Sequence, residues 1–309
     1  MESVRVFAPA TVSNVNCGFD VLGFAMDGPG DEVQVSLTST NQIKISSILP
    51  ETINLPTSPE KNTAGVAISS FLKALGSEQG VDIALTKNLP LGSGIGSSGA
   101  SAVAALVGIN HLMGSPMSRD ELIVHAMEAE RVACGSAHAD NVAPALLGGF
   151  VLIRGYNPLD VVKIPIAIQL WCVVVHPGIE LKTSDSRKVL KKDIPLKDLV
   201  TQTGNIAGLV VGLMKPDSAL ISRCLVDVVA EPLRTKFIPG FTDIKQKAKE
   251  EGALGSGISG SGPSIFALCE SKLVAENVGV GIQNVFESYQ VKSQIFISPI
   301  SETGARILR

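Results

Sequence analysis

The chain opens on alternation: Val4, Val6 and Ala8 are spaced as one face of a strand. Similar runs occupy Glu32 to Leu37, Ile43 to Ile48 and Val81 to Lys87, where Val81, Ile83 and Leu85 keep a period of two. The first eighty-odd residues therefore predict mostly strand, with one helix from Thr63 to Leu75. After Leu91 the pattern changes. Gly92 to Gly99 reads as a loop and Ala100 to Met113 as a helix of small apolar residues. A second helix starts at Ser118, where Ser118 and Glu121 form a capping box. Strands return at Gly149 to Arg154 and Leu170 to Val175. Helices follow at Ser184 to Lys191, Leu199 to Met214, Ser218 to Val229 and Asp243 to Glu251. Strand Ser264 to Cys269, helix Lys272 to Tyr289 and strand Val291 to Ile297 complete the series.

Strands and helices come in blocks rather than strict alternation, which predicts an α+β class with two domains, residues 1–160 and 161–309. No linker-like tract separates them, so a broad interface with a cleft for a ligand is expected. With 309 residues, 45% hydrophobic and 18% charged, the chain can bury a large core, and disorder is excluded. Lys and Arg number 26 against 29 acidic residues, so no global positive field exists to attract nucleic acid or an anionic membrane. Cys17, Cys134, Cys172, Cys224 and Cys269 are scattered without a CxxC pair, which predicts reduced, buried thiols. The N-terminus lacks the apolar core of a signal peptide, and the longest nearly uncharged stretch, Ile164 to Val175, is too short to span a bilayer, so a cytoplasmic protein is expected.

Glycine is in excess, 30 of 309 residues against an average of roughly 7%. In PLGSGIGSSGAS, Gly92, Gly94, Gly96 and Gly99 stand between a strand and a helix. There they can turn consecutive N–H groups inward at a helix N-terminus and cradle a phosphate, with Ser97 and Ser98 adding hydroxyls. The alternative is a tight turn packed against another backbone. Gly94, Gly96 and Gly99 satisfy G-x-G-x-x-G, and so do Gly255, Gly257 and Gly260. A dinucleotide fold is not supported, because Asp120, at the required distance, lies inside the capping box. No Walker motif is present.

On a helical wheel from Ser118, Leu122, Ile123, Ala126, Met127 and Ala133 share an arc that contains Glu130 and excludes Glu128. A carboxylate on a buried face needs a partner, either an arginine such as Arg154 or a cation. His138, Asp140 and Asn141 then crowd one polar turn, a common setting for a site. His111, His125 and His176 are isolated.

Three motifs together, A-x-x-x-N-x-x-x-G-F-D from Ala10, P-x-x-x-G-I-G-S-S-G-A from Pro90 and G-I-S-G-S-G-P from Gly257, resemble the GHMP small-molecule kinases, and among them the homoserine kinases. The match runs over nearly the whole chain. Ile95 stands where relatives usually carry Leu or Met, and Asn16 and Cys17 where they often carry glycine and a small residue or proline. The resemblance implies a ribosomal-S5-domain-2-like N-terminal half and a ferredoxin-like C-terminal half. It also implies ATP-dependent phosphorylation of the side-chain hydroxyl of L-homoserine, with Mg²⁺, on the way to threonine. Nucleotide contacts would come from Asn62, Lys87, Pro90, Leu91, Gly92, Ser93, Gly94, Ile95, Gly96, Ser97, Ser98, Gly99 and Ala100, and metal contacts from Ser98 and Glu130. Arg187 and Arg234 would hold the substrate carboxylate, a task suited to a planar guanidinium. Asp20 would hold the ammonium, with Asn14, Thr183 and Gly260 alongside and His138 as a positioning residue. Asn141 would lie near the reacting hydroxyl, with Glu130 and Arg187 counted with it as catalytic. Relatives in the wider family use an aspartate as general base; homoserine kinases are thought to dispense with one, and Asp140 is adjacent. A sister kinase acting on mevalonate or a sugar, and a non-catalytic nucleotide-binding regulator, are the alternatives. A homodimer is compatible with the resemblance.

Overall fold

The computed structural model describes residues 2–135, 137–181 and 183–308; the side chains of Ala133 and Cys134 also lie outside the description, and with them the expectations placed on both. Strands β1 (Ser3–Ser13), β2 (Leu22–Thr38), β3 (Ile43–Leu49), β4 (Gly80–Thr86), β5 (Phe150–Tyr156) and β6 (Leu159–Ile164) build one sheet. Strands β7 (Trp171–Pro177), β8 (Gly255–Ile258), β9 (Ile265–Cys269) and β10 (Ser293–Pro299) build a second, in the order β10-β7-β9-β8. The short β11 (Arg306–Leu308) returns to the first sheet as the antiparallel neighbour of β1. The helices, in chain order, are α1 (Thr63–Leu75), α2 (Ser97–Leu112), α3 (Arg119–Cys134), α4 (Val142–Leu147), α5 (Thr183–Lys188), α6 (Leu196–Met214), α7 (Ser218–Cys224), α8 (Glu231–Arg234), α9 (Phe241–Glu250) and α10 (Lys272–Ser288).

The period of two dictates the first sheet. Val6 faces Val33, which in turn faces Leu85, and Val35 faces Ile83, so five strand residues stack as one buried apolar surface. Helix α2 lies on that surface, and its alanine-rich stretch from Ala100 to Ala105 is buried all round. Small residues let it come close: a Cβ on Gly108 would stand 2.7 Å from Val35 Cγ2. Helices α1, α3 and α4 pack about it. The second sheet carries α9 and α10 on one side. Its other side, with Cys172, Val174, Phe266 and Leu268, joins the core of the first. Phe24 of β2 is the junction, with ring centroids 4.7 Å from Phe150 and 6.3 Å from Phe266.

Several elements depart from the sequence expectation. The first strand runs on to Ser13, and β2 begins ten residues earlier than Glu32, through a glycine- and proline-bearing stretch whose signals read as turn. Strand β8 lies within the second glycine motif. Its glycines are open to neighbours, since a Cβ on Gly257 would stand 1.5 Å from Asn16 Oδ1. Helix α7 stops at Cys224 rather than Val229, because Asp227 takes the backbone N–H groups of Val229, Ala230 and Glu231 at 2.8–3.0 Å and starts α8. Strands β6 and β11 and helix α4 carry too few residues to stand out in the pattern. Among the described residues no helix is long and apolar enough to cross a membrane. Cys17, Cys172, Cys224 and Cys269 are free and buried.

Because Phe24 joins both sheets, Phe24→Ala is expected to destabilise the chain by about 3–5 kcal/mol in one cooperative transition. The reporter is fluorescence of Trp171, the single tryptophan, which sits in the other sheet. An unchanged Trp171 transition in guanidinium would mean that the two halves unfold independently.

Candidate active site

A cavity of about 730 Å³ opens between the two halves, with the glycine loop at one end and charged side chains at the other. Three segments remote in sequence meet there. The β1–β2 turn holds Asn14, Val15 and Asn16 at φ of 68°, 41° and 57°, and Asp20 at 58°. Such conformations are unfavourable for side chains other than glycine, most of all for a β-branched valine, and persist only where surrounding bonds impose them. Asn14 Nδ2 donates to Gly260 O at 2.7 Å while its Oδ1 accepts from Asp20 N at 2.9 Å. Asn16 Nδ2 donates to Leu225 O at 2.7 Å and Ser256 O at 2.9 Å, so Asn16 ties the turn to the C-terminal half.

The glycine loop is tied to the second glycine loop. Ser259 Oγ donates to Gly94 O at 2.7 Å, and Gly260 N donates to Ser13 O at 3.1 Å. Gly94 and Gly96 have φ of 78° and 73°. A Cβ on Gly94 would stand 2.4 Å from Ser259 O, and one on Gly96 2.1 Å from Thr11 Oγ1. Close packing of backbones therefore accounts for these two glycines. Gly92, Ser93, Gly94, Gly96, Ser97 and Ser98, together with Leu91, still line the cavity where α2 begins, whereas Pro90, Ile95, Gly99 and Ala100 do not. The first turn of α2 brings N–H groups and a partial positive charge to this end.

Beside the loop, Ser98 Oγ donates to Glu130 Oε1 at 2.7 Å, and Glu130 is buried. The candidate arginine partner, Arg154, pairs instead with Asp160, and Glu128 pairs with Arg131 on the outer side of α3. Among the described residues no group of three or more His, Cys, Asp or Glu could hold a metal. One carboxylate and one hydroxyl beside a phosphate cradle nonetheless fit Mg²⁺, which takes most of its oxygen ligands from phosphate and water.

At the opposite end, Arg187 grips Asp20 with two guanidinium nitrogens at 2.6 and 3.2 Å. Phe19 lies under both arginines, its centroid 5.4 Å from Arg187 and 5.3 Å from Arg234. Arg234 is buried and donates to Gly260 O at 3.0 Å and to Ser186 O. Burial, with repulsion from Arg187, brings its pKa down to about 10. His138 Nδ1 is 3.6 Å from Asp20 Oδ2, and burial holds its pKa below the ordinary value. Thr183 Oγ1 meets Ser261 Oγ at 3.1 Å. Asn141 is locked, its Oδ1 accepting from Thr11 Oγ1 at 2.8 Å and its Nδ2 donating to Ser13 Oγ at 3.0 Å. Asp140 is fully buried, and desolvation, reinforced by the Asp20 and Glu130 charges, pushes its carboxyl up to about 7.

Two expected nucleotide contacts behave differently. Both border the cavity, but Asn62 spends its amide as the cap of α1, accepting from Ala64 N at 3.1 Å and donating to Pro56 O at 2.8 Å. Lys87 buries its ammonium against Asp31. Thr11, Ser13, Asp31, Glu180 and Ser261 were not foreseen. Thr11 and Ser13 lie inside the first motif and alternate with apolar residues, a signal that was available. Asp31 has none nearby, since its partner is 56 residues away.

The chain matches two family models, "GHMP kinases N terminal domain" over residues 62–149 and "GHMP kinases C terminal" over residues 209–288. It is 50% identical to a homoserine kinase of Chloroherpeton thalassium, with all of both chains covered. It is 40% identical to one of Xanthomonas campestris, covering 100% of this chain and 95% of the other. The crystal structure of homoserine kinase from Cytophaga hutchinsonii superposes with a TM-score of 0.96 at 49% identity, over 100% of this chain and 98% of that one. A mevalonate kinase of L. major shares the fold, at a TM-score of 0.74 and 18% identity over 96% of each chain. With both halves of the family present and full-length identity of this order, the chain belongs to the GHMP kinases and, within them, to the homoserine kinases.

Proposed function

We propose that this protein transfers the γ-phosphoryl group of ATP to the side-chain hydroxyl of L-homoserine, in the cytoplasm, as a step toward threonine. The observation that carries the reading is the placement of an acid–arginine pair, Asp20 and Arg187, in the same cavity as the glycine loop. An amino acid presents a carboxylate and an ammonium. As the zwitterion enters, its carboxylate takes over Arg187 with help from Arg234, and its ammonium takes over Asp20. Each partly buried charge exchanges one partner for another, so none is left uncompensated. A hydroxy acid without the ammonium would part the same pair and strand Asp20, which disfavours mevalonate.

ATP phosphates would lie on the glycine loop and the N-terminus of α2, the charge-stabilising part of the site. Glu130 and Ser98 would hold Mg²⁺, which when bound neutralises phosphate charge. Asn141, fixed by Thr11 and Ser13, would orient the substrate hydroxyl, while His138 and Thr183 bound its path. The new O–P bond forms as the bond to the ADP oxygen breaks, and the hydroxyl proton passes to an oxygen of the transferred phosphoryl group or to water. A loose transition state places little charge on the attacking oxygen until late, so alignment matters more than a strong base.

The test is ADP release with a panel of homoserine, 4-hydroxybutyrate and mevalonate, with the product identified by phosphorus NMR. Homoserine is expected to be phosphorylated on its side-chain oxygen, and 4-hydroxybutyrate to lose roughly a hundredfold or more in kcat/KM. Faster turnover of either ammonium-free alcohol would overturn the assignment.

Asp140 generates a pH signature in stability. Its folded pKa of about 7 lies above the ordinary 3.8, so the native state keeps a proton that the unfolded chain has already released. The stabilisation is complete below the lower value and is lost as pH rises through the upper one. Asp140→Asn removes that loss, so its Tm relative to the wild type should be higher at about pH 8 than at about pH 5 in calorimetry. A Tm difference independent of pH would show that the carboxyl titrates normally.

A further inference from the structure

The glycine loop leaves β4 and enters α2, and both of its ends finish on one carboxylate. At the entry, Asp31 Oδ1 accepts the backbone N–H groups of Asn88 at 2.8 Å and Leu89 at 3.0 Å. At the exit, Asp31 Oδ2 accepts from Ser97 Oγ at 3.0 Å and from the Lys87 ammonium. Lys87 Nζ then donates to Ser97 O at 2.8 Å and Ser101 Oγ at 2.7 Å, in the first turn of α2. Asp31 is wholly buried and the Lys87 side chain nearly so.

We propose that Asp31 and Lys87 are the positioning residues of the nucleotide loop: together they close its neck and set the distance and angle between its glycines and the first turn of α2. The inference rests on the reading that this loop receives the phosphates of ATP. Neither residue has to touch the nucleotide. Their effect passes through Ser97, whose backbone carbonyl and hydroxyl are both held, and so through the N–H groups that follow it.

The chemistry requires a carboxylate. Four donors converge on its two oxygens, and it can accept them all. An asparagine has a single acceptor oxygen, so either the entry or the exit would face an NH₂ group turned donor to donor. Burial pulls the Lys87 pKa below its ordinary value and Asp31 draws it back. Removing Asp31 alone therefore also strands a buried cation.

The test compares the wild type, Asp31→Asn and the double variant Asp31→Asn/Lys87→Met, which removes both charges at similar volume. Steady-state constants for ATP and homoserine are measured beside Tm. Asp31→Asn is expected to lower Tm and to reduce kcat/KM for ATP by roughly ten- to a hundredfold, with the homoserine KM unchanged within about twofold. The double variant is expected to recover Tm, because a neutral pair strands no charge, while its ATP constants stay impaired because the grip on Ser97 O and Ser101 Oγ is gone. Wild-type ATP constants in a folded variant would overturn the proposal, reducing the pair to packing. Equal losses toward ATP and homoserine would overturn it too, as would failure of both variants to fold, since the pair would then determine the fold rather than the loop. A wild type that does not phosphorylate homoserine would instead sink the functional reading, which separates the two failures.

Discussion

Contact between the two glycine loops is the constraint on which the rest of the cleft depends. Ser259 reaches Gly94 O, Gly260 N reaches Ser13 O, and Gly260 O gathers Asn14 and Arg234. Those few bonds bring a segment near residue 94 and one near residue 260 to backbone separation, with the β1–β2 turn wedged between them. The geometry is open only to glycine at Gly94, where a side chain would strike a carbonyl. The cost appears next door, in Asn14 to Asn16 and Asp20 held at positive φ. The same bonds that impose those conformations aim Asp20 and Asn14 into the cavity.

Two ion pairs and one hydroxyl-bonded carboxylate frame the cleft. Asp31 and Lys87 lie beneath the loop, Asp20 and Arg187 face each other at the substrate end, and Ser98 shields Glu130. A buried charge without a partner is costly, so each pair settles the resting site without ligand. The pairs differ in exposure. Asp31 and Lys87 are sealed, with the Lys87 side chain 2% exposed, whereas Asp20 and Arg187 are 21% and 27% exposed. A sealed pair suits a fixed scaffold, and an accessible one suits exchange with an incoming zwitterion. Asp140, between acidic neighbours and without such a pair, is driven toward its neutral form instead.

Legibility in the sequence followed the range of the interaction. The helix Thr63–Leu75 and the capping box of α3 were read correctly because caps and periodicity act within a few residues. Glu130 was found from the apolar arc around it, since a misplaced carboxylate is visible on a wheel. Lys87 was expected at the nucleotide; it borders the cavity, and its ammonium is buried against Asp31. Its partner Asp31 sits in a strand that looks ordinary from its neighbours. Strand β8 was hidden because glycines that permit close packing read locally as turn.

The sequence by itself determined the α+β class, most elements, the family through its three motifs, and the chemical kinds of residue in the site. All of these rest on local periodicity or on contiguous motifs. Only the tertiary structure decided which polar side chains line the cavity and which atoms are held by protein partners. Asn62 and Lys87 border the cavity yet give their polar atoms to protein partners, while Ser13 and Ser261 join its lining and Thr11 holds Asn141. The physical reason is that a polar group's role depends on the partner that satisfies it, and for Asp31 with Lys87, Asn14 with Gly260 and Arg187 with Asp20 that partner is 56, 246 and 167 residues away.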